Sequence, residues 1–219
     1  MREKIRLRFS KTGKAKYISH LDLMAVLRRA LLRTGIELKY SEGFNPHPYM
    51  SAALPLPVGC GSICELLDFK TASALVPDVL PGIITAELPD GIEIFEAYAP
   101  ERGFSGIAWL EIEGVMYYDK TVPHDVVKQL TERFEAESII ISKKTKRGAF
   151  DLDIAPLIRD VEYYEDNEVM IKAKVSAQNP TVTPDNLISA IDGIYSELRP
   201  DFALFTRIET YDSEMNIFR

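Results

Sequence analysis

Between residues 4 and 35 the hydrophobic period of the chain changes once, and that change constrains the fold more than any other feature. "KIRLRFSK" alternates Ile5, Leu7 and Phe9 with Lys4, Arg6 and Arg8, the period-two pattern of a half-buried strand whose other face is basic. "SHLDLMAVLRRALLRTG" then places Leu23, Val26, Leu27, Ala30 and Leu31 at helical spacing. Ser19 with Asp22 three residues on gives a capping box, and Gly35 gives a stop. Arg29 and Arg33 lie one turn apart on the outer face of that helix.

The rest of the first half continues the alternation. "IELKY" reads as a short strand, and "MSAALPLPVG" and "ICELLDFKT" as an extended pair around Gly59–Gly61. "VPDVLPGIITAEL" is a short helix with Pro81 in its first turn, and "GIEIFEAYA" a closing strand. "APERGF", residues 99–104, is a linker. A second series follows: strand "GIAWLEIEGVMYY", helix "PHDVVKQLTERFEA", strand "ESIIISKKT", hairpin "VEYYEDNEVMIKAKVS", helix "TPDNLISAIDGIYSEL" and strand "FALFTRIETYD". An insertion, "KRGAFDLDIAPLIRD", separates its second strand from the hairpin. The expected fold class is α+β, as two tandem ferredoxin-like (βαββαβ) halves covering residues 1–98 and 105–219.

Composition narrows the function classes. With 46% hydrophobic residues the chain can bury a core. Two cysteines give no disulfide framework, and no apolar run reaches the roughly 18 residues of a membrane span, so a soluble, cytoplasmic protein is expected. The net charge of −7 is uneven: residues 1–40 hold eleven Lys/Arg against three Asp/Glu, a balance of +8, and the remainder fifteen against thirty, or −15. A phosphate responds to the local patch within about 8–10 Å, so the basic first half and acidic second half have different expected partners.

Several segments carry candidate chemistry. Arg6, Arg8, Lys14, Lys16, Arg29 and Arg33 are candidate phosphate contacts. His20 falls in the first turn of the first helix, where a general acid or base would sit beside outward-pointing N–H groups. "YSEGFNPHPYMS", residues 40–51, fixes His47 between two prolines that restrict Asn45 and His47 to extended geometry. Gly43 permits positive φ there, and Phe44 and Tyr49 offer stacking faces. "SKKTKRG" adds a basic loop of Lys143, Lys144, Lys146 and Arg147. Cys60 and Cys64 match the first two positions of a C-x3-C-x2-C cluster motif, but Leu67 occupies the third, so no iron–sulfur cofactor is expected in this chain alone. With three histidines and two cysteines scattered along the sequence, no metal site is expected either.

The pieces "KYISHLDLM", "YSEGFNPHP" and "ALPLPVG" within residues 8–59 resemble the radical SAM-linked family, a bacterial group of unknown function. That resemblance implies a radical-SAM partner supplying the iron–sulfur cluster and S-adenosylmethionine. A looser architectural similarity is to the repeat-associated RNA-binding proteins of CRISPR systems, although "ELRPDFALF" has no counterpart of their glycine-rich loop. The expected function is RNA-binding accessory protein, presenting tRNA, rRNA or a nucleotide-like substrate to that partner. A metal-independent endoribonuclease using His20, and a docking module without ligand, are the alternatives.

Overall fold

The computed structural model describes residues 2–119, 121–145, 148–191 and 196–219. Among the described residues the chain is mixed α+β, mostly sheet with four α-helices, and it divides into two units, Met1–Gly106 with Arg219 and Ile107–Phe218.

In the first unit β1 (Arg2–Lys11) leads through a 3-10 turn, Gly13–Tyr17, into α1 (His20–Arg33). The start of α1 is the expected cap: Ser19 Oγ accepts from the Asp22 N–H at 3.2 Å. After the loop come β2 (Met50–Ala52), the fifteen-residue β3 (Gly61–Leu75), α2 (Leu80–Thr85) and β4 (Ile92–Tyr98). The sheet order is β4-β1-β3-β2, every pair antiparallel. Ile5, Leu7 and Phe9 meet Leu67, Phe69, Ile92 and Ile94 on one face, under Leu23, Leu27 and Leu31 of α1 and Leu80 and Ile84 of α2. Fully burying each such side chain contributes roughly 1.5–3 kcal/mol.

Two expectations change here. "IELKY" makes isolated bridges, Leu38 with Thr71 and Tyr40 with Pro48, and the strand beside β3 is Met50–Ala52. The polar face of β1 is also not wholly left to solvent: Arg6 is buried, although Lys4 stays exposed.

The second unit comprises β5 (Trp109–Tyr117), α3 (Val126–Phe134), β6 (Ile140–Thr145), β7 (Gly148–Asp153), β8 (Ile158–Asp166), β9 (Glu168–Ser176), α4 (Pro184–Ile191) and β10 (Phe202–Tyr211). Its sheet runs β10-β5-β9-β8, again antiparallel, and β8 turns into β9 at Asn167, whose φ is +60°. β6 pairs with β7 in a separate two-stranded sheet. Thus "ESIIISKKT" is not a member of the four-stranded sheet, and the inserted segment supplies its pairing partner.

Candidate functional site

The loop of residues 40–51 is closed at its neck by a small network. The Ser41 N–H donates to the His47 carbonyl at 2.8 Å, and the His47 N–H donates to Ser41 Oγ at 3.1 Å. His47 Nδ1 lies 3.0 Å from that hydroxyl and 3.4 Å from the Asn45 carbonyl. Beyond the neck, the Tyr49 N–H donates to the Lys39 carbonyl, and the Lys70 N–H to the Tyr49 carbonyl, tying the loop to β3. Gly43 turns the tip with φ +118°, a value costly for any residue with a Cβ. Next to it Phe44 is completely exposed.

Beside this loop a cleft of about 310 Å³ is lined by Lys4, His47, Tyr49, Asp68, Lys70 and Phe104, with Pro48 and Met50 on the loop side. Its floor is a charge cluster. Arg6, fully buried, holds Asp68 through both arms, Nε to Oδ1 at 2.6 Å and Nη2 to Oδ2 at 3.0 Å. Lys4 Nζ reaches the same carboxylate at 2.9 Å. Arg6 also donates to the Arg102 carbonyl at 2.8 Å, and the Phe104 ring stacks 4.4 Å from its guanidinium carbon. Lys70 sits 5.0 Å over the Tyr49 ring. The cleft therefore offers two aromatic rings and two exposed ammonium groups around a neutralised carboxylate. Such a surface suits a planar ring joined to an anion.

A second recess of about 250 Å³ lies on the α1 side of the loop, lined by Leu21, Met24, Ala25, Arg28, Pro48 and Met50. Arg28 and Arg29 are exposed on this helix, as is Lys14 on the preceding turn.

The sequence-predicted residues divide accordingly. His47 and Tyr49 line the cleft, Gly43, Phe44 and Asn45 form the exposed loop tip, and Lys14, Lys16 and Arg29 stay at or near the surface. Arg6 is a correction: it is a buried counter-ion, because residues 102–104 cover the basic face of β1. Arg8 and Arg33 are engaged as well, with Glu96 at 3.5 Å and Glu87 at 2.7 Å. His20 lines neither recess, so the geometry gives it no acid–base partner in them. Lys143 donates to the Thr181 carbonyl within the second unit, and the Lys144 side chain, Lys146 and Arg147 lie outside the described residues. Asp68, Lys70 and Phe104 join the site without a clear sequence signal. Only the partial alternation of "ELLDFKT" hints at the first two, and Phe104 reads as linker.

Lys11 lies apart from the cleft, at the α1-side end of β1. Its amine donates to the Lys16 carbonyl at 3.2 Å and the Ile18 carbonyl at 2.9 Å. Burial pulls it below the usual lysine range, with Glu65 and then Cys60 opposing the shift. Cys64 is buried in β3, and neither cysteine forms a disulfide. Among the described residues no three His, Cys, Asp or Glu side chains are grouped to hold a metal ion, and no helix is long and apolar enough to cross a membrane.

Residues 4–184 match a family described as an uncharacterised protein conserved in bacteria (DUF2344). The chain belongs to that family. No curated protein matches the sequence. Among solved structures, a chain in the crystal structure of a Cbf5–Nop10–Gar1 complex aligns over 94% of this chain with a TM-score of 0.51 at 13% identity. The aligned region spans about half, 48%, of that chain, and at this identity the likeness concerns the fold alone.

Proposed function

We propose that the protein is an RNA-binding accessory factor that presents tRNA, rRNA or a nucleotide-like substrate to a radical-SAM modification partner. The observation that carries the reading is the cleft at residues 47–50. Tyr49 and Phe104 provide ring faces, and Lys4 and Lys70 provide cations at the same opening. Phosphate contacts come from Lys14, Lys16, Arg28 and Arg29, and Phe44 stands ready to stack on an unpaired base. The radical-SAM partner rests on the resemblance of "KYISHLDLM", "YSEGFNPHP" and "ALPLPVG". The cluster and S-adenosylmethionine belong to that partner, since Leu67 stands where a third thiolate is needed.

The same reading treats residues 1–98 and 105–219 as tandem ferredoxin-like halves. It is supported by the element order and by the four-strand order in each unit, last-first-third-second once the β6–β7 hairpin is set aside. The test is crosslinking in the native cell, followed by sequencing of the attached RNA and mapping of the attached peptide. RNA joined to residues 40–51 or 102–104 is the expected result. Recovery of a protein partner without RNA would overturn it in favour of docking alone.

A further inference from the structure

The cleft and the α1-side recess share a wall. Pro48 and Met50 line both, so the segment from His47 to Met50 is a ridge with one recess on each side. That ridge is held from both ends, by the Ser41–His47 network at the loop neck and by pairing of Met50 with Phe69 on β3. The two recesses differ in chemistry. The first has charged groups and ring faces, suited to hydrogen-bonding the edge of a base while stacking on it. The second is walled by Leu21, Met24 and Met50, with Arg28 as its cation. Thioether side chains adapt to varied shapes, so this recess suits packing against a base without reading its edge.

Resting on the RNA reading above, we infer that the ligand is single-stranded and that the site takes two adjacent nucleotides, their bases splayed to opposite sides of the His47–Met50 ridge. Single-stranded readers capture bases unstacked from one another, each against its own surface. Stacked and paired bases in a duplex cannot straddle a ridge without first being unstacked. Arg28 beside the second recess is placed to meet the phosphate that follows the second base. Leu21 is 79% exposed, an apolar side chain that this role would cover.

The experiment measures affinities of the full-length protein for uridine monophosphate, a 5′-phosphorylated uridine dinucleotide, a uridine oligonucleotide and a short blunt RNA duplex at one salt concentration. It is repeated for Leu21→Asp and Tyr49→Ala. The dinucleotide is expected to bind about tenfold or more tighter than the mononucleotide, as one additional stacked base gives. Leu21→Asp should erase that gain and leave mononucleotide binding intact, while Tyr49→Ala should weaken both. If oligonucleotide binds but mono- and dinucleotide affinities are equal, the two-base inference fails and the RNA reading stands. Equal loss of both ligands in Leu21→Asp, or duplex binding as tight as single strand, also overturns it. No binding of any probe overturns the RNA reading itself. Because Leu21 is mostly exposed, a melting curve matching the wild type is expected and confirms that the variant is folded.

Discussion

Arg6 and Asp68 are direct partners across β1 and β3, and the guanidinium grips the carboxylate at distances of 2.6 and 3.0 Å. Arg6 has no exposed surface and Asp68 has 6%. Removing the carboxylate leaves a desolvated cation, which typically costs about 3–5 kcal/mol. Asp68→Asn should therefore lower stability by that order in urea unfolding. The double replacement Arg6→Met with Asp68→Leu should cost less than Asp68→Asn, since it leaves no uncompensated charge. Equal or greater destabilisation in the double variant would show that the pair contributes more than mutual neutralisation.

The surface cations make a separable claim about binding. Arg28 and Arg29 are exposed, whereas Arg33 is held by the side chain of Glu87 and by its carbonyl. For single-stranded RNA the salt slope should flatten by about 0.7 for each phosphate that the protein no longer neutralises. Arg28→Glu with Arg29→Glu should weaken binding across sequences and flatten that slope. Arg33→Gln should change it little. Filter-binding or fluorescence titration over a salt series checks both, and a slope unchanged in the double variant would remove these residues from the interface.

Much of the first unit was legible because its signals are local. The capped helix, Pro81 in the first turn of α2 and the Asn167 turn of the second unit each depend on residues within a few positions of one another. What failed depended on distant chain. Period two shows that Arg6 and Arg8 share a face, but not that residues 102–104 return to cover it. β2 is three residues long, too short to show any periodicity, while the better strand-former "IELKY" pairs only by isolated bridges. The loop 40–51 was readable as a stiff turn from its prolines. Its role in shaping a cleft required Asp68, Lys70 and Phe104 from other parts of the chain.

Packing in the second unit leaves no room at Gly114. A Cβ there would lie 2.5 Å from Phe205 Cε1 and 2.7 Å from Ile171 Cγ2, inside van der Waals contact. Both neighbours are buried, so they cannot swing into solvent. Gly114→Ala should destabilise by about 1–3 kcal/mol, the usual range for overpacking. Thermal or urea unfolding measures it, and a neutral result would mean that β5 and β10 shift apart easily.

Alkaline pH should act on Tyr118. Its hydroxyl donates to the Leu198 carbonyl at 2.7 Å, and burial, then Asp201, pushes its pKa up to about 12 from the usual 10.0. A raised folded-state pKa means that the unfolded chain loses this proton first. The associated stability is present below pH 10 and is lost as pH rises through about 12. The unfolding free energy measured across that window should fall less steeply for Tyr118→Phe than for the wild type. Parallel curves would place the loss on other groups, such as Tyr163, which burial also raises.

Ser41 and His47 decide whether the loop is site or scaffold. His47→Ala keeps the Ser41 N–H bond to the residue-47 carbonyl and the residue-47 N–H bond to Ser41 Oγ, at 2.8 and 3.1 Å in the native loop. What it removes is the ring, with its exposed hydrogen bond to Ser41 and its place in the cleft wall. An exposed neutral hydrogen bond is worth about 0.5–1.5 kcal/mol at most, so the melting temperature should move little. Affinity for single-stranded RNA should nevertheless fall. Ser41→Ala acts differently: it removes the hydroxyl that holds both the His47 N–H and the ring, leaving a looser loop that must be ordered on binding. It too should weaken binding, now with the ring still present. Melting temperature and affinity measured on the same samples separate the cases. If both variants bind normally once folded, and only melting temperature falls, residues 40–51 are scaffold and the cleft's ligand-binding wall lies on β1, β3 and Phe104 alone.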